Sequence, residues 1–126
     1  MRSYLVLFFS VLSVLLFDFW GQSQLSDIAH TGTDLAIQEQ QLIETAQWES
    51  AAALCEELDT YLEDRDLLLS VLVEHERIDI IRTQQKELKT LLEHRETTLA
   101  LMTVEQLKLS YEDLYDSIRV SWENII

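Results

Sequence analysis

Beyond Thr33 the sequence holds no strong helix breaker: it has no proline at all, and its two glycines are Gly21 and Gly32. Turns and bulges draw on Gly and Pro, so a chain that lacks both has few ways to stop a helix. The rest of the composition points the same way. Leu, Glu, Gln, Ala, Lys and Arg dominate residues 34–126, and all are good helix formers. No run of alternating β-branched residues competes. The expected fold class is all-α.

The first twenty residues stand apart. Tyr4 to Phe17, "YLVLFFSVLSVLLF", carries no charge, and with Asp18 tolerated near its end the apolar block runs to Trp20. Its 17 residues reach the lower edge of the roughly 17–25 that cross a bilayer as a helix. Arg2 is the only basic side chain before the block, and Tyr4, Phe19 and Trp20 suit its two interfaces. This pattern predicts a single-pass signal anchor with everything after Gly21 outside the cytoplasm. A cleaved signal peptide is the rival, because Gly21 and Ser23 are small residues two apart. The block is longer than the ~7–15 apolar residues of a usual signal peptide, which favours the anchor. Either reading exports the body.

That body is strongly acidic. The chain has 9 Lys+Arg against 23 Asp+Glu, a formal charge of −14, and residues 1–23 contribute one charge of each sign, Arg2 and Asp18. Such a surface repels nucleic acid and anionic lipid head groups. Cys55 is the only cysteine, so no intrachain disulfide forms. Within "AAALCEEL" it reads as a small buried hydrophobe.

Residues 21–33, "GQSQLSDIAHTGT", read as a linker that ends in a helix cap at Thr33 or Asp34. A first bundle helix then follows the stripe Ile37, Gln41, Trp48, Ala51, Ala52, Cys55, Leu58, Leu62. Asp64 suits the cap of a second, with Leu68, Val71, Leu72, His75, Ile78, Ile81, Gln85, Leu88, Leu92, Leu99 and Met102 on one seam. Thr103, followed by Glu105 and Gln106, suits the cap of a third, carrying Val104, Leu107, Tyr111, Leu114, Ile118, Ser121 and Ile125. The expected architecture is an N-terminal transmembrane or signal-anchor helix (1–20), a linker (21–33) and an acidic antiparallel three-helix bundle (34–126).

"LVEHERIDIIR", Leu72 to Arg82, carries the most suggestive polar groups. His75 and Asp79 sit one helical turn apart and are the only weak metal candidates. A di-metal carboxylate bundle would use Glu-x-x-His pairs, yet Leu72 and Leu91 stand three residues before His75 and His94. No nucleophile motif or Gly-rich loop accompanies the histidine, so neither an enzyme nor a cofactor is expected. The expected role is structural: His75, Asp79 and Arg82 form a polar layer on the buried face, while Trp48, Trp122 and Asn124 act as packing or contact anchors.

The layout of N-terminal anchor, Trp48, "LVEHERID", a Leu-rich seam and the closing "WENII" resembles the domain of unknown function 4363 family. The likeness covers nearly the whole chain and centres on His75-x-x-x-Asp79, with Ile78 before the aspartate, and on Asn124-Ile125. Members usually show a second tryptophan upstream of the histidine, where this chain has Tyr61. The resemblance implies a small membrane-anchored helical protein of spore-forming Gram-positive bacteria with no assigned activity, accompanying a polytopic membrane protein. The expected function is that of an accessory or scaffold protein acting by protein–protein contact. The alternative is an extracytoplasmic module that senses a cation or small ligand.

Overall fold

The computed structural model describes the backbone of residues 2–125 and the side chains of residues 2–114 and Asp116. Five helices account for almost all of it: α1 (Arg2–Glu44), α2 (Trp48–Asp64), α3 (Asp66–Leu72), α4 (His75–Glu93) and α5 (Thr97–Ile125). There is no strand among the described residues.

The expected linker does not exist. Helix α1 runs unbroken for 43 residues, through the apolar block, through residues 21–33 and on to Glu44. The small and polar residues that suggested a linker have another purpose. Gly21, Leu25, Ile28, Ala29, Gly32, Ala36, Glu39 and Ile43 form a buried stripe at the alternating three- and four-residue spacing of a packing seam. Small side chains on that stripe let a neighbouring helix come close. A Cβ built on Gly32 would clash with the Tyr111 ring, so α5 rests this buried side chain on bare α1 backbone. Before Gly21 the helix has no buried residue among those described, and its apolar side chains are all exposed.

Three helices were expected after the anchor, but the breaks fall elsewhere and the helices are shorter. Two of the breaks are C-terminal caps of the same kind. At the end of α1, Ala46 takes a left-handed φ of 54°; its N–H donates to Ile43 O (3.0 Å), and the N–H of Gln47 donates to Leu42 O (2.9 Å). At the end of α4, Arg95 has φ 52°, with Arg95 N–H to Leu92 O (3.2 Å) and Glu96 N–H to Leu91 O (3.0 Å). Both are Schellman motifs, which satisfy the last free carbonyls and usually place glycine at the left-handed residue. The third break is two extended residues, Val73 (φ −126°, ψ 148°) and Glu74 (φ −59°, ψ 133°). A milder kink at Arg65 separates α2 from α3; there the guanidinium donates to Tyr61 O (3.1 Å) and lies 3.7 Å above the Tyr61 ring. Thr103 caps nothing, because it sits inside α5 and its hydroxyl donates to Leu99 O at 2.9 Å.

The core is a seam from each long helix. Ala51, Leu54, Cys55, Leu58 and Leu62 of α2 are buried with Ile78, Ile81, Gln85, Leu88 and Leu92 of α4. From α5 come Ala100, Val104, Leu107, Tyr111 and Leu114. Trp48 and Tyr61 pack half-buried against this core. Helix α5 packs on α1 and on α4, and α2 packs on α1 and on α4. Across α4 and α5, Arg77 meets Asp113, Gln84 meets Ser110, and Gln85 meets Tyr111. Across α2 and α4, Glu56 pairs with Lys89 and Asp59 with Gln85.

Two stability outcomes follow from this geometry. Gly32→Ala must push α5 off α1 and is expected to cost at least the ~1–3 kcal/mol of an overpacked core. Gly21→Ala meets only the flexible end of Leu72, 2.8 Å away, and is expected to be neutral or stabilising. Ala46→Gly and Arg95→Gly relieve left-handed residues and should each stabilise by about 1 kcal/mol. Urea titrations of the four variants check all of this; a destabilised Ala46→Gly would sink the account of the caps.

Candidate functional site

The polar groups gathered in the interior are not those of the "LVEHERIDIIR" stretch. They form a relay across three helices. The Tyr111 hydroxyl on α5 donates to Gln85 Oε1 on α4 (2.5 Å), and Gln85 Nε2 donates to Asp59 Oδ1 on α2 (2.7 Å). The backbone carbonyl of Gln85 accepts a long contact from Cys55 Sγ (3.7 Å). Gln85 and Tyr111 are fully buried, whereas Asp59 is only half-buried. Its carboxylate thus closes the relay at the rim, where water reaches it, and the amide and phenol inside are satisfied without an interior charge.

Burial sets the acid–base character of this interior. The Tyr111 phenol is held well above its ordinary value, chiefly by removal from water and further by nearby negative groups. Burial, with the charges of Asp59 and Glu39 behind it, pushes the Cys55 thiol up to about 12. A thiol held protonated is a poor nucleophile and a poor metal ligand. Cys55 therefore packs as the small hydrophobe its neighbours suggested.

Among the described residues, Glu39 is the exception to satisfied burial. It lies on the α1 seam between Ala36 and Ile43 with no exposed surface, and neither carboxylate oxygen has a hydrogen-bond partner. Removal from water raises its pKa from the ordinary 4.5 to about 8, so the protonated, neutral form is favoured well above the range of an exposed carboxylate. The expected stripe missed it. That stripe ran through Ile37 and Gln41, which are exposed, out of phase with the true seam.

The expected polar layer is not on the buried face. His75 is the first residue of α4, just after the extended pair, and its side chain is 79% exposed. Its Nε2 stands 3.8 Å from Asp79 Oδ2, itself largely exposed. Arg82 turns to Asp66 rather than to Asp79. The three residues do not form one layer, because the break at Val73–Glu74 resets the helical phase that placed His75 on the seam. Among the described residues no group of three or more His, Cys, Asp or Glu side chains is arranged to hold a metal ion. Trp48 packs half-buried at the start of α2; the side chains of Trp122 and Asn124 lie outside the described residues.

Two surface hollows border α4. One, of about 450 Å³ between α2 and α4, is polar and holds Asp59, Asp66 and Arg82, already engaged with Gln85 and with one another. The other is an open, mainly apolar groove of about 570 Å³ between the C-terminal half of α4 and the start of α5, floored by Leu91, Leu99 and Met102 and rimmed by Lys86, Glu87 and Gln106.

Fold and interior together define a class: a helical bundle whose first helix begins as an exposed apolar rod long enough to cross a membrane. The family model described as Domain of unknown function (DUF4363) matches residues 19–125, and the chain belongs to that family. No curated protein and no solved structure matches it.

The unpartnered acid gives a signed expectation. Folded Glu39 keeps its proton up to about pH 8, whereas the unfolded chain releases it near 4.5. The folded state therefore binds the extra proton in between, and stability is full at the acid end of that window and is lost as pH rises through it. The loss is expected to be on the order of a few kcal/mol, since each tenfold difference in proton affinity between the two states is worth about 1.4 kcal/mol. Glu39→Gln should flatten this slope in denaturation midpoints measured from pH 5 to 8. An unchanged slope in the variant would place its origin in other groups.

Proposed function

We propose that this protein is a membrane-anchored, extracytoplasmic accessory or scaffold protein that works by protein–protein contact, its helices forming an antiparallel bundle held against the bilayer. The uninterrupted α1 carries the reading. One helix is lipid-compatible over Tyr4–Trp20 and core-forming from Gly21 onward, so the bundle is joined to the span without a flexible joint. The cross-helix pairs support the antiparallel order: partners on α5 fall in number from Asp113 to Ser110 as those on α4 rise from Arg77 to Gln84. Arg2, ahead of the apolar block, favours that end inside and the bundle outside.

The groove between α4 and α5 supports the contact role. Leu99 and Met102 are half-exposed there, and Leu109 continues the row along α5. Residues 99, 102, 106 and 109 repeat at three- and four-residue spacing, which suits an amphipathic helix laid into the groove. A membrane protein presenting such a helix is the proposed partner.

The test is co-purification from native membranes with the full chain. Leu99→Glu and Met102→Glu should abolish recovery of a stoichiometric partner while leaving the thermal transition within a few degrees of wild type. Ala53→Glu, exposed on α2 and outside the groove, should retain it. Partner recovery unaffected by the two groove variants would overturn the groove as the contact.

A further inference from the structure

Helix α3 is unlike every other part of the bundle. Its sequence and the residue after it, "DLLLSVLV", are apolar all the way round apart from Asp66 and Ser70. Only one side faces the core: Leu69 is buried, while Leu67 is 80% and Val71 63% exposed. A segment that is apolar on every side matches a non-polar environment on every side.

Its position says which environment. Leu72 lies against Gly21, its Cδ2 only 2.8 Å from where a Cβ on that glycine would be. Gly21 directly follows Trp20, where the exposed apolar length of α1 ends. The end of α3 therefore stands level with the end of the span, one residue past Trp20.

The length of the span strengthens the argument. The 17 residues Tyr4–Trp20 rise about 25 Å at 1.5 Å per residue, against a hydrocarbon core of about 30 Å. A span at this lower limit thins the bilayer around it, which brings the flanking structure closer to lipid. The shortfall equals about one more turn of α1, the turn that begins at Gly21 opposite Leu72. Leu67, one turn earlier in α3, then comes level with the head groups.

We propose that α3 is a membrane-dipping element: Leu67 and Val71 insert into the interface of the bilayer that α1 crosses, so that the bundle is seated on lipid at a second point. The contact is apolar rather than electrostatic, since Asp64, Asp66, Glu74 and Glu76 flank it. Its lipid is accordingly a zwitterionic surface. The inference rests on α1 spanning the membrane.

The test uses the full chain with Cys55→Ala, reconstituted in phosphatidylcholine vesicles and labelled with an environment-sensitive fluorophore at one introduced cysteine. Val71→Cys and Leu67→Cys are compared with Leu12→Cys in the span and Met102→Cys at the far end of the bundle. The Val71 and Leu67 labels are expected to emit to the blue of the Met102 label. They should be quenched by spin-labelled lipid and lose quenching by aqueous iodide. A Leu12 label in lipid together with a Val71 label as open to iodide as Met102 would overturn the proposal and leave the span intact. A Leu12 label open to iodide would overturn the span itself. Shielding of Val71 that grows with the protein-to-lipid ratio, without quenching by spin-labelled lipid, would assign the patch to a second copy and likewise overturn the proposal.

Discussion

One side chain ties the bundle together. Tyr111 lays its ring on the bare backbone of α1 at Gly32, and its hydroxyl reaches Gln85 on α4, which in turn reaches Asp59 on α2. The ring contact requires the absence of a Cβ, and the hydroxyl requires a buried acceptor at one particular height on α4. Apolar seams alone tolerate sliding by a heptad, because one Leu layer resembles the next. A buried phenol with a single acceptor does not, since any other register leaves both partners unsatisfied at a cost of about 1–3 kcal/mol each. This contact fixes how α1, α2, α4 and α5 sit along one another.

The all-helical class was legible in the sequence because it follows from what is absent, Pro and Gly beyond residue 33. The seams of α4 and α5 were legible for a different reason: Ile78, Ile81, Leu88 and Leu92, and likewise Val104, Leu107, Tyr111 and Leu114, keep phase inside single helices. The breaks were not legible, because the two Schellman caps use Ala46 and Arg95 where glycine usually announces them. Each hidden break shifts the phase of what lies beyond it. A stripe drawn through Trp48 back to Ile37 misses Glu39, and a seam drawn through Val71 to Ile78 puts His75 inside when it is exposed. The family signature begins at a helix end, so the residues before it and after it belong to two elements rather than to one face. Residues 21–33 mislead in the opposite sense: small residues needed for close helix packing have the same composition as a linker.

The interior carries two kinds of polar group with opposite consequences. The Tyr111–Gln85–Asp59 relay ends on a carboxylate that water can reach, so it adds specificity with little desolvation. Glu39 is enclosed and partnerless, a group whose removal from water is only partly relieved by taking up a proton. An apolar residue there would stabilise the fold more, so Glu39 is not explained by packing. Its expected effect is to weaken the α1 seam as pH rises, in the part of the helix farthest from the apolar block.

That placement matters because α1 has no joint. In a chain with a flexible linker, a change of packing in the bundle would be lost before it reached the span. Here Glu39 and Trp20 belong to one helix, separated by 19 residues, or about 28 Å at 1.5 Å per residue. Loosening α5 or α2 from α1 near Glu39 would leave the rest of the bundle held to the rod by its lower contacts, at Gly32 with Tyr111 and at Gly21 with Leu72. The groove between α4 and α5 lies at the upper end, with Leu91, Leu99 and Met102 beside the α4–α5 cap. A partner seated there, as proposed, would be held by α4 and α5, neither of which is continuous with the apolar rod of α1. In the proposed anchored arrangement the two ends of the bundle would divide the work: the apolar rod would set its position, and the α4–α5 groove would face its partner.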